Sequence, residues 1–471
     1  MSDSANTSSA HSSRLEADSL GTVQVDMAKL WGAQTQRALK HFNFGSDRFP
    51  EAFIKAFALV KKAAALSHQE LGKLSELQAS LIVHTCDEIL AGEHCDQFPL
   101  SAWQSGSGTQ THMNINEVIA NRCNELAGSE RGKKSPIHPN DHVNMSQSTN
   151  DVFPTVMHVS ACLAIQHDLV PALNLLRDKL KLKADEFESI IKAGRTHLMD
   201  AVPLTFGQEF RAFQYQVESA LENINRAEQE ARQLAIGGTA VGTGLNTEPD
   251  WSGLVCKKIS ELAKLEFTPA DNKFAQIAAH DTLVQIHGAL NGLAGSVLKI
   301  VNDLRLMASG PHCGLQEISI PPNEPGSSIM PGKVNPTQIE SVSMVCLRVM
   351  GNNLAVSVAG SQGQFQLNAY KPLIIMSLLE SIRLLSSALT NLSLYCISGI
   401  SVNREQVEEY VSGSSMLVTA LNTEIGYDKA AKIANYAFEK KVSLRVAAAE
   451  LDILSGEKFD ELVDARKMVG K

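Results

Sequence analysis

Several stretches of this chain carry helix-periodic apolar patterns far longer than an ordinary helix. They are Thr155 to Ile191, Gly207 to Ile236, Phe274 to Ser309, Thr337 to Ala359 and Lys371 to Ser398, each broad in Ala, Leu, Ile, Val and Met. A 30-residue helix is about 45 Å long, so these segments predict an elongated bundle and a mainly α fold. Helices apolar on several sides bury more than one face, which implies packing against other subunits as well as each other.

The flanks divide the rest. From Trp31 to about Ser146 the pattern is mixed, with helical periodicity in Pro50 to Leu71 and Leu77 to Ala91, and it predicts an N-terminal domain over residues 20–146. The central bundle then covers 147–402, and shorter amphipathic units make a small helical C-terminal domain over 403–471. Residues 1–19 are Ser-rich and polar, without the apolar run of a secretory signal or the repeated arginines of a transit peptide, and are expected to be a disordered tail.

Composition narrows the function classes. A net charge of −9 with no local basic cluster argues against nucleic acid as a partner. Eight cysteines without a C-x-x-C pair read as reduced thiols in a cytoplasmic protein, and no zinc spacing is visible, so neither metal nor cofactor is expected. No run approaches ~20 uninterrupted apolar residues, so no membrane span is expected.

Four polar clusters interrupt the helical pattern. Ser105-Gly106-Ser107-Gly108-Thr109-Gln110 opens a helix continuing to Leu126, where small residues let backbone N–H groups approach an anion; an ordinary N-cap gives the same pattern. His138-Pro139-Asn140-Asp141 and Ser146-Gln147-Ser148-Thr149-Asn150-Asp151 precede another helix, with Pro154 expected in its first turn. His197 lies in Gly194-Arg195-Thr196-His197-Leu198-Met199-Asp200, before a capping-box pattern from Thr205 to Gln208. The last cluster, Gly326 to Pro336, reads GSSIMPGKVNP and suits a mobile loop that ends at a helix start. A P-loop is excluded there, because five residues separate Gly326 from Gly332 and Val334 follows Lys333 where Ser or Thr is needed.

SSIMPGKVNP resembles the signature of the fumarase/aspartase superfamily, and the wider GLQEISIPPNEPGSSIMPGKVNPTQIES is similar to class II fumarases. The similarity runs from Leu30-Trp31-Gly32-Ala33-Gln34-Thr35-Gln36-Arg37 to the C-terminus. It implies a three-domain, helix-bundle fold and reversible hydration of fumarate to L-malate, a step of the tricarboxylic acid cycle. The implied assembly is a homotetramer whose sites each draw on three chains.

The resemblance also implies roles. Ser107, Gly108, Thr109, Ser148, Thr149, Asn150, Thr196, Ser328, Lys333, Val334 and Asn335 fall at substrate-binding positions. His197 falls at an acid/base position, a role that suits histidine as a residue type, and Glu340 is the carboxylate that orients it. Glu340 also fits a capping box with Thr337. Ser327 is the implied base for the carbon proton, with Ser328 as substitute. His138, Pro139, Asn140 and Asp141 match a second anion site, although Ser135, between Lys134 and Pro136, stands where some relatives have arginine. His312 likewise replaces a common arginine. Two other functions fit the same scaffold, an aspartate ammonia-lyase and a non-catalytic binding protein.

Overall fold

The computed structural model describes residues 13–470 of the 471-residue chain. It opens with an antiparallel hairpin, β1 (Ser13–Asp18) and β2 (Gly21–Asp26). The expected tail over 1–19 is therefore too long: residues 1–12 lie outside the described part, but Ser13 onward is a strand. Arg14 explains it. Its guanidinium donates to the Asp26, Lys29 and Trp31 carbonyls at 2.7–2.8 Å and pairs with buried Glu16, so polar composition here marks an internal ion pair.

Helices then follow almost without interruption. They are α1 (Ala33–His41), α2 (Glu51–Glu70), α3 (Glu76–Leu90), α4 (Thr109–Leu126), α5 (Thr149–Ala164) and α6 (Val170–Glu186). A second hairpin, β3 (Ile191–Thr196) and β4 (Met199–Thr205), leads into α7 (Phe206–Glu230), α8 (Trp251–Ala263), α9 (Lys273–Ala278), α10 (Asp281–Met307), α11 (Thr337–Gly360) and α12 (Lys371–Tyr395). Capping fixes several starts: Ser75 with Gln78 begins α3, Ser148 with Asp151 begins α5, and Thr205 with Gln208 begins α7. Because Ser148 is the cap, Pro154 lies in the helix interior and not in the first turn, a correction to the expected start. The block expected to be helical to Ile191 ends at Glu186, where the chain turns into β3.

The chain forms two compact units. One takes residues up to Val170, Glu222–Asn291 and Arg348–Leu384; the other takes Pro171–Leu221, Gly292–Leu347 and Leu385 onward. In the first, Phe53, Phe57 and Phe153 are buried with ring centroids 5.3–5.7 Å apart, and each burial contributes about 1.5–3 kcal/mol. In the second, Phe187, Phe206, Phe210 and Phe213 pack edge to face, and residues from Val418 to Phe459 gather into an apolar cluster of their own.

Three helical stretches, Thr149–Glu186, Thr337–Gly360 and Lys371–Gly399, are long and apolar enough to cross a membrane by length and composition, contrary to the expectation from uninterrupted runs. Only 33 % of the apolar window of α11 is buried within the chain. Met344, Leu347, Leu354 and Val358 are each more than half exposed along it, at spacings that keep them on one side. On α10, a Cβ built at Gly288, Gly292 or Gly295 would meet no atom within 4 Å among the described residues outside the helix's own nearby backbone, so their side of the helix is open there.

Candidate active site

The site residues fall into two sets, one in each unit. In the first unit, Gly108 caps α4 with φ of +82°, and a Cβ there would come within 2.1 Å of the Phe153 ring, so only glycine fits. Ser105, Ser107 and Thr109 form a hydroxyl chain with spacings of 2.8 and 2.7 Å. Gly106 lies against Ala369, whose carbonyl oxygen would be 1.4 Å from an added Cβ. At the start of α5, Ser148 accepts from the Asn150 N–H, and the Asn150 amide donates to the Ala240 carbonyl at 2.8 Å. Two helix N-termini thus present hydroxyls and N–H groups, as an anion requires.

Behind this surface lies a buried polar network that sequence reasoning missed. Lys61 Nζ lies 2.8 Å from His112 Nε2, 3.1 Å from Asn144 Oδ1 and 2.9 Å from Gln147 Oε1, and His112 Nδ1 lies 2.8 Å from Thr149 Oγ1. Lys61 and His112 are almost fully buried. Burial brings Lys61 down to about 7, against the pull of Asp151, while burial and the Lys61 charge hold His112 well below the usual histidine range. Burial raises Asp151 to about 7, although its carboxylate accepts from the N–H groups of Ser148, Gly237 and Thr239. One signal was available: Lys61 interrupts the apolar run Phe57-Ala58-Leu59-Val60 on α2.

The second unit carries the other set. His197 and Leu198 are the two central residues of the β3–β4 turn, with φ of +56° and +60°, and Thr196 pairs with Met199. This is a two-residue turn of the primed kind, which glycine and asparagine usually occupy. Holding histidine and leucine there costs about 1–3 kcal/mol each, which the hairpin must offset. The hairpin is anchored: buried Glu317 pairs with Arg195 at 2.8 Å and Lys192 at 3.1 Å on β3. Thr196, His197, Leu198 and Met199 are all exposed.

The serine loop is exposed too. Gly326, with φ of +88°, crosses against Lys333, whose carbonyl would be 2.1 Å from an added Cβ, and Ser327 N–H donates to that carbonyl at 3.2 Å. Lys333 Nζ donates to Asn335 Oδ1 at 2.8 Å. Ser327 and Asn335 are half-buried, whereas Ser328, Lys333 and Val334 are exposed. Glu340 lies in the first turn of α11, and because Thr337 is already helical the two do not form a capping box. Its charged neighbour is Arg305 at 3.7 Å. Among the described residues, no acid lies within ion-pair distance of His197 in its own chain.

At the expected second anion site, His138 caps the turn Pro139–Val143, its Nδ1 accepting from the N–H groups of Asn140 and Asp141 at 3.2 and 3.1 Å. The cavity beside Pro139 and Asn140 measures about 30 Å³, enough for a water, and Lys134 is bonded to the Ala17 carbonyl. Elsewhere Glu88, Glu93 and His94 offer ligand atoms within 4.8 Å of one another, but Arg122 grips Glu88 at 2.8 and 2.7 Å and holds its carboxyl down to about 2. A cation there would face that guanidinium.

Helix starts suited to anions in one unit, and a histidine on a left-handed turn with a glycine-bounded serine loop in the other, are the polar clusters of this chain, and comparison with known proteins gives their class, a lyase. The lyase family profile matches residues 21–351 and the fumarase C C-terminal profile residues 417–470, so the chain belongs to this lyase family. Its relatives include class II fumarate hydratases of Thermosynechococcus vestitus, 55 % identical over 97 % of this chain and 98 % of that one, and Nitrosomonas europaea, 52 % identical over 97 % and 98 %. The crystal structure of class II fumarase from Schistosoma mansoni superposes with a TM-score of 0.95 at 44 % identity, covering 97 % of this chain and 99 % of that one.

Proposed function

We propose that this protein is a class II fumarate hydratase that interconverts fumarate and L-malate. The observation that carries the reading is the presence in one chain of donor-rich helix starts at Ser107–Thr109 and Ser148–Asn150, an exposed histidine on a left-handed turn, and the serine loop. Removing the C3 proton of malate leaves a carbanion beside a carboxylate, a dianion that needs fixed donors as its charge develops. Lys333, Asn335 and the loop N–H groups supply them. Ser327 takes the C3 proton, with Ser328 as substitute. The electron pair forms the C2–C3 double bond as hydroxide leaves C2, and His197 gives that hydroxide a proton, forming water. Glu340 orients His197.

The working form is a homotetramer with sites shared between chains. Three features support it: the open apolar side of α11, the glycines facing outward on α10, and a His197 without an acid partner among the described residues. Apolar faces of this extent bury against other copies, and the same surface accounts for the membrane-like hydropathy. The protein acts in the cytoplasm on a free dicarboxylate, with neither membrane nor nucleic acid as partner. Absorbance assays with fumarate, malate and aspartate supplied separately test the reading: turnover of the first two and none of the third is expected, and turnover of aspartate alone would make the protein an ammonia-lyase.

A further inference from the structure

The network behind Thr149 has one self-consistent arrangement of hydrogens. Gln147 Nε2 donates to the Val143 and Met145 carbonyls, and Asn144 Nδ2 donates to the Gln147 carbonyl, so both amides turn their oxygens to Lys61. Nζ of the Lys61 ammonium has three hydrogens and meets three groups, Asn144 Oδ1, Gln147 Oε1 and His112 Nε2. Since an ammonium only donates, His112 Nε2 must accept. In a neutral imidazole the hydrogen then sits on Nδ1 and is directed at Thr149 Oγ1, 2.8 Å away. The threonine oxygen becomes an acceptor on its inner side. Its own hydrogen is left for an acceptor outside the network.

We propose that Lys61 and His112 are positioning residues that fix the Thr149 hydroxyl as a hydrogen-bond donor aimed at a substrate carboxylate. Without them the hydroxyl can rotate its hydrogen inward and turn lone pairs towards the anion, which repels it. The proposal rests on the fumarate hydratase reading, in which Thr149 touches substrate. Neither Lys61 nor His112 reaches the reacting atoms. Both act through one oxygen, so their effect falls on binding: a donor that holds the carboxylate equally in the ground and transition states lowers KM and leaves kcat alone.

The test is a double-mutant cycle on the full-length enzyme at pH 6.5, below the value to which burial brings Lys61. His112→Phe keeps a ring that can stack on Phe57, now 5.9 Å away, and removes both nitrogens. Thr149→Val removes the hydroxyl. Each is expected to raise KM for malate and fumarate about tenfold or more with kcat within about threefold, and the double variant should be no worse than Thr149→Val alone. His112→Asn places an amide N–H where Nδ1 stands and should restore KM; His112→Gln carries its amide out to the Nε2 position, serves Lys61 only, and should resemble His112→Phe. These two keep the test open if the phenylalanine variant does not fold. An unchanged KM in both His112→Phe and His112→Gln overturns the proposal, as does a His112→Phe loss that persists in full in the Thr149→Val background. If Thr149→Val itself leaves KM unchanged while the wild type hydrates fumarate, the proposal falls and the activity reading stands. A wild type inactive on both fumarate and malate would sink that reading instead.

Discussion

The two sets of site residues are built in opposite ways. Around Gly108 and Thr149 polar side chains interlock within the chain: hydroxyls link 105, 107 and 109, Asp151 accepts three N–H groups, and Lys61 is ringed by acceptors, which leaves the Thr149 hydroxyl hydrogen for a ligand. Around His197 and Ser327 the side chains project outward. Ile329 is 82 % exposed and Leu198 75 %, high values for aliphatic residues beside functional groups. The first set is held in position by contacts within its own unit. The second stands on an exposed turn and an exposed loop, and the proposed shared-site tetramer would cover it.

Breaking the outward set should have the largest effect. His197→Asn keeps a polar residue that tolerates the left-handed turn, so folding and assembly are expected to be unchanged while turnover falls by about 10² or more. Steady-state rates together with sedimentation of the variant check this, and normal turnover in an assembled protein would remove His197 from the chemistry.

Mixing sharpens the same contrast. His197→Asn and Ser327→Ala, each inactive, are dissociated and reassembled in equal amounts. If the two residues of a site come from different chains, random assortment leaves both intact in roughly a quarter of sites, and about that share of wild-type activity returns. Reassembled tetramers that stay inactive would place both residues of a site on one chain.

How much of this the sequence displayed follows the same division. The outward set was legible because its chemistry is local: GSSIMPGKVNP carries its glycines, prolines and polar groups within eleven residues, and GRTHLMD its glycine and polar groups within seven. The five long apolar blocks are helical over most of their lengths, because a 3.6-residue period needs no tertiary partner to be read, but the breaks were not legible: Gly207 to Ile236 leaves the helix at Glu230, and Phe274 to Ser309 divides into α9 and α10. The inward network was not legible. Lys61, His112 and Thr149 lie on different helices, and only folding shows that they touch. Ser13–Asp18 was misread for a related reason: Arg14 and Glu16 look like solvated charges until the fold pairs them. Glu340 was legible only as an acid in the first turn of a helix, and the charged group the fold sets beside it is Arg305, at 3.7 Å.

The buried charge of the inward set gives it a pH signature. Burial lowers Lys61 from 10.5 to about 7. Between those values the unfolded chain holds a proton that the folded one has released, so stability rises with pH across that window, with a slope of up to about 1.4 kcal/mol per pH unit. Below about pH 7 the full cost of burying the ammonium is present. Burial also brings Lys371 down to about 7, so urea unfolding from pH 7 to 10 should show a shallower rise in Lys61→Met than in the wild type, and parallel curves would mean that Lys61 titrates normally.

The mildest comparison uses two glycines with nearly the same φ. Gly108 and Gly332 have φ of +82° and +83°, so alanine meets the same left-handed strain at both, about 1–2 kcal/mol. Their surroundings differ completely. A Cβ at 108 would stand 2.1 Å from Phe153, whereas one at 332 has no atom within 4 Å. Phe153 cannot retreat easily, since its ring packs against Phe49, Phe53 and Phe57. Overpacking adds about 1–3 kcal/mol at 108 alone. Gly108→Ala should therefore destabilise by about 2–5 kcal/mol and raise KM, because the N-terminus of α4 must shift away from its ligand. Gly332→Ala should cost about 1–2 kcal/mol or less, since an exposed loop can relax its backbone, and its effect should fall on loop closure, read as weaker protection of 327–333 from protease by a bound dicarboxylate. Equal losses of stability in the two variants would show that backbone strain alone sets both, and that the packing of the inward set contributes nothing beyond it.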